Sequence, residues 1–133
     1  MGLLKALFGG GGSGFNRLAK TFKYVYDSIK SYTMSNDVNY LYRAAWLIKY
    51  GVYNSLEKWN WSPFAKIYIP DYQSLGRITV NEAMMIAMGK ISSASQMLTE
   101  EEQDTIEKIL EGEKEYYDKE RLIPLDIKNK LKP

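Results

Sequence analysis

Apolar residues recur at helical spacing through most of the chain, and the longest such run lies between Asp37 and Trp59. Leu41, Ala45, Ile48, Val52, Leu56 and Trp59 follow one another by steps of three or four, which places them on one stripe of an α-helix. Tyr42, Trp46, Tyr50 and Tyr53 trace a second stripe, about 120° around the same cylinder. A surface helix ordinarily buries one stripe. Two stripes fit a central helix with neighbours on both sides. They also fit an aromatic face turned toward another chain, because Tyr and Trp are enriched in interface cores. Asn36 or Asp37 suits the N-cap. Gly51 costs about 1 kcal/mol against Ala inside a helix and would mark close approach by a neighbouring backbone.

The segment before it, residues 15–32, is amphipathic. Phe15, Leu18, Ala19, Phe22, Val25, Ile29 and Tyr32 share a face, while Arg17, Lys20, Lys23 and Lys30 lie outside it. A turn over Thr33–Asn36 makes an antiparallel pair with the central helix. Further on, Thr79-Val-Asn-Glu82 and Thr99-Glu-Glu-Glu102 both fit the capping box that opens a helix. The first begins a helix over 79–97 with a stripe of small residues. Its Met84, Met85 and Met88 suit either a core gap or an adaptable binding face. The second begins an acidic helix over 100–121, with Ile106, Ile109 and Leu110 as a thin apolar stripe.

Residues 60–78 break the helical period at Pro63, Pro70 and Gly76 yet stay rich in apolar side chains. This segment is expected to cross the bundle and pack onto it, or to form a short helix near Phe64 to Tyr68. Together the pattern predicts an all-α protein, an irregular four-helix bundle with an aromatic-rich crossover loop. Residues 1–14 form a short apolar helix on a Gly/Ser tether, and 15–133 a single helical domain.

The net charge of +2 hides segregation: residues 1–60 carry +5 and residues 99–120 carry −7. The two regions can attract each other within one fold or between copies, which makes a homo-oligomer one expectation. There is no Cys and no His. Disulfides, thiolate nucleophiles, His-based triads and most zinc sites are thereby excluded. The glycine run lacks the Lys-Ser/Thr ending of a phosphate loop, and the acidic helix lacks EF-hand spacing. Ser55-Leu-Glu-Lys58 matches a serine-acylase tetrad without its companion motifs. No catalytic residue, metal ligand or cofactor is therefore expected.

Met1 to Phe8 is too short to span a membrane, and Ala6 stands where myristoylation needs Ser or Thr. Its Leu3, Leu4, Leu7 and Phe8 suit a partner's groove or a membrane surface. The glycines that follow act as a flexible tether and share the composition of an engineered linker. The leading expectation is a non-catalytic adaptor or assembly subunit. It would dock on a larger complex through residues 1–8 and the face of Tyr42, Trp46, Tyr50 and Tyr53, in the manner of a small phage or bacterial accessory protein. The alternatives are a peripheral membrane protein anchored by residues 1–8 and the basic helix, a nucleic-acid binder using Arg17, Lys20, Lys23 and nearby Tyr24, and a small-molecule or catalytic pocket lined by Trp46, Trp59, Trp61 and Tyr68. The expected location is the cytoplasm, a membrane surface or a large assembly.

Overall fold

Helix α1 runs from Gly11 to Ser35 in a computed structural model that describes residues 11–60 and 62–113. It buries Leu18, Ala19, Phe22, Val25 and Ile29, the stripe read from the sequence, and Tyr26 with them. The side chain of Phe15 lies outside the described residues. Gly11 to Gly14, expected as tether, continue the helix instead. Extending an existing helix adds a hydrogen bond per residue and needs no new nucleus. Asn36 stops α1 in the left-handed region at φ 59°. Asp37 then opens the next helix, its Oδ1 accepting the Asn39 N–H at 3.0 Å.

Helix α2 spans Asn39–Trp46, passes into a π-helical stretch over Leu47–Tyr53, and resumes as α3 over Asn54–Trp59. The uninterrupted α-helix expected over 37–59 is therefore corrected at its centre. The cause is local. A Cβ built on Gly51 would lie 2.5 Å from Thr21 Cγ2 of α1, so the two helices touch where one has no side chain. Thr21 is buried there, with its hydroxyl returned to the Arg17 carbonyl at 2.9 Å. A π-turn widens the helix by a residue per turn, and Leu41, Ala44, Ala45, Leu47, Ile48 and Val52 are all buried along this rod.

The segment over residues 66–79 packs onto the core as expected, but as a β-hairpin where a crossover loop or a short helix was expected. Strand β1 is Lys66–Tyr68 and β2 is Arg77–Thr79, antiparallel, with Ile67 opposite Ile78. Ile67 and Ile69 point into the core, whereas Lys66 and Tyr68 face out. That alternation has a period of two. Gly76, at φ 66° and ψ −156°, returns the chain in a conformation open to glycine.

Helix α4, Val80–Ser95, starts on the Thr79–Glu82 capping box. Its next two orphan N–H groups, on Val80 and Asn81, donate to the carbonyls of Ala65 and Pro63. Helix α5, Glu100–Glu111, starts on the Thr99–Glu102 box. The α-helix expected to reach residue 121 closes at Gly112. There the Glu113 N–H donates to the Lys108 carbonyl and the Gly112 N–H to that of Ile109, a Schellman closure with glycine at φ 86°. The described residues are mostly helical, with one two-stranded sheet among them, and the core lies between α1, the rod over residues 39–59, α4 and α5. Among the described residues no helix is long and apolar enough to cross a membrane.

Candidate protein-docking surfaces

The aromatic stripe of the central rod divides along its length. Tyr42 and Trp46 are half-buried and pack against the core. Tyr50 is also half-buried, its ring 5.2 Å from that of Trp46. The end of α5 comes down beside it, since a Cβ on Gly112 would meet Lys49 Cε at 3.0 Å and Tyr50 Oη at 3.4 Å. The Trp46 Nε1 is buried with no hydrogen-bond partner among the described residues. Tyr53, at the far end of the stripe, is 45% exposed. It borders an open groove of ≈730 Å³ with Leu56, Pro63, Met88 and Leu110, and the oppositely charged Lys49 and Glu57 also line it. Of the four aromatic residues singled out in the sequence, Tyr53 thus presents the most surface.

The basic face is also divided. Lys20 and Lys30 are exposed, Arg17 and Lys23 half-buried. Lys23 Nζ lies 2.8 Å from Asp27 Oδ2 and 3.4 Å from Asp71 Oδ2. The hydrogen bond to Asp27 is the main force holding the Lys23 ammonium above the usual lysine range, against a smaller opposing effect of burial. Tyr72 donates to the other Asp27 oxygen at 2.8 Å, and its ring meets Tyr26 edge-on at 5.1 Å and 75°. Tyr26 in turn donates to the Ala83 carbonyl at 2.8 Å. Burial pushes the Tyr26 hydroxyl up to about 12 and raises Tyr72 as well, with the Asp27 carboxylate adding to the latter. This group of residues latches the hairpin to α1 and α1 to α4. In the sequence Lys23 carries no sign of it, because Asp71 and Tyr72 arrive from more than forty residues away.

The methionine cluster separates as well. Met84 is buried, Met88 half-buried and Met85 66% exposed. Met85 borders a second open groove, of ≈800 Å³, between α1 and α4, which Ile29, Tyr32, Ile86 and Met97 also line. Core and surface roles thus fall to different members of one sequence cluster.

Leu3, Leu4, Leu7 and Phe8, and the aromatic Trp61, lie outside the described residues. Ser55 of the serine-acylase match donates to the Gly51 carbonyl inside the rod. No group of three or more His, Cys, Asp or Glu side chains among the described residues is placed to hold a metal ion. No family model matches the sequence, and neither a curated protein nor a solved structure matches it.

Proposed function

We propose that the chain is a non-catalytic helical adaptor or assembly subunit built as an irregular four-helix bundle. It docks onto a larger protein complex through its N-terminal apolar peptide and the outer end of its aromatic face, working in the cytoplasm as an accessory protein of a phage or bacterium. The observation that supports this is Tyr53, exposed on the helical rod at the edge of a mainly apolar groove of ≈730 Å³. A tyrosine at such a place offers large contact area with little rotamer entropy to lose. Lys49 and Glu57 supply polar groups of both signs, as the rim of a protein interface does.

The nucleic-acid reading is less well supported, since Lys23 is engaged with two carboxylates inside the fold. A photo-reactive phenylalanine analogue placed at Tyr53 tests the proposal in native host cells, with the same group at exposed Glu107 as control. The expected result is one protein cross-linked from position 53 and absent from position 107. Identical products from both positions, or products with nucleic acid or lipid alone, would overturn it.

A further inference from the structure

The groove beside Tyr53 lies where the chain leaves the described fold. Leu110, on the last turn of α5, lines it, and so does Lys49 of the rod. Gly112 closes α5 against that same lysine, since a Cβ built on it would lie 3.0 Å from Lys49 Cε. At φ 86° it also turns the backbone off the helix axis. Residues 114–133 lie outside the described residues, and they set out from the rim of this groove. The groove is mainly apolar, but Lys49 and Glu57 add one charge of each sign. Neither has an ion-pair partner among the described residues. They stand eight residues apart on the rod with Tyr53 midway, which is about 12 Å at helical rise.

The sequence beyond Gly112 contains a segment of matching chemistry. Leu122-Ile-Pro-Leu125 is its longest apolar run, bracketed by Arg121 and Asp126. Four extended residues span about 13 Å, so the two bracketing charges are spaced like Lys49 and Glu57. Pro124 keeps the residue before it extended and brings one backbone donor fewer into an apolar site. We propose that Leu122–Leu125 of this chain's own tail occupies the groove, with Arg121 against Glu57 and Asp126 against Lys49. This rests on the reading of the groove as a docking surface and adds its regulation: the tail is a built-in competitor that a partner displaces. The eight steps from Glu113 to Arg121 reach up to about 26 Å, enough to pass along the groove to Glu57 and return. A short tether gives an effective concentration on the order of 1 mM, so a contact of about 0.1 mM intrinsic affinity keeps the groove shut most of the time. A partner's apparent affinity then falls in proportion to the open fraction.

The chain has no cysteine, so Lys128→Cys places one nitroxide on the tail of the purified full-length protein. Isotope-labelled methionine methyl groups then report its position by NMR, with the chemically reduced label as reference. Met88 lines this groove, whereas Met85 and Met97 line the other. The expected result is loss of the Met88 signal with Met85 and Met97 retained. Ile123→Asp is expected to restore Met88, and so is Glu57→Arg. Adding Arg121→Glu to Glu57→Arg is expected to bring the loss back, because the charge pair is then reversed. A Met88 signal at full strength beside the nitroxide overturns the inference, and leaves the docking of a partner beside Tyr53 to its own cross-linking test. Loss that persists in Ile123→Asp also overturns it. So does loss seen between nitroxide-bearing and isotope-labelled chains in a mixture, which marks the tail of a second copy. Loss of Met88 from a nitroxide at Lys5→Cys but not at Lys128→Cys overturns it too, by assigning the groove to the N-terminal peptide.

Discussion

Gly51 and Thr21 show how one residue sets the geometry of a helix pair. The space left by the missing side chain at position 51 is filled by the Thr21 methyl from α1, within the π-helical stretch. Gly51→Ala improves helix propensity by about 1 kcal/mol but forces a methyl into space that is already occupied. Overpacking of this kind costs about 1 to 3 kcal/mol, so the variant is expected to be less stable in urea denaturation. Thr21→Ser removes the opposing methyl and leaves the next Thr21 atoms at 3.8 Å. In that background Gly51→Ala should be neutral or stabilising. Additive effects of the two substitutions would show that the contact does not set the geometry. The sequence allowed a close approach at Gly51 to be read, but the neighbour proved to be a side chain where a backbone was expected. Contact identity is a tertiary fact, and no local pattern in Thr21 discloses it.

At the scale of elements, the latch between the hairpin and α1 is the feature most open to experiment. Lys23, Tyr26 and Tyr72 all have proton affinities raised in the folded state. For groups of this sign the stabilisation is fully present below their unfolded values, about 10 for tyrosine and 10.4 for lysine. It is lost as pH rises through the folded ones. The melting temperature is therefore expected to hold steady through neutral pH and to fall above about pH 10. Tyr72→Phe removes the hydrogen bond to Asp27, costs about 1 kcal/mol at neutral pH, and should flatten the alkaline fall. A variant whose alkaline fall is as steep as that of the wild type would remove Tyr72 from the latch. Helix starts were legible in the sequence because a capping box is a four-residue signal, and both boxes formed as read. The hairpin was not. Its strands are three residues each, and the period-two alternation from Lys66 to Ile69 is brief beside the prolines and aromatics around it. The stop at Gly112 was passed over because charged residues continue beyond it without a proline until Pro124.

For the whole molecule, the same sequence clusters that suggested docking turn out to be shared between core and surface. Tyr42 and Trp46 help to pack the core, while Tyr53 stands at an open groove. Met84 is buried, while Met85 faces out. Periodicity gave the stripes but not which end of a stripe would be covered, because coverage depends on where α5 and the hairpin come to rest. Affinity capture from the native host tests whether the chain docks on a protein partner through residues 1–8 and Tyr53. It compares the full-length chain, Tyr53→Glu and a chain lacking residues 1–8, with membranes fractionated separately. One protein is expected with the full-length chain and is expected to fall about tenfold or more in each variant, as loss of an anchoring aromatic worth roughly 2 kcal/mol or more implies. Equal recovery with all three chains, or recovery confined to the membrane fraction without a protein, would contradict it.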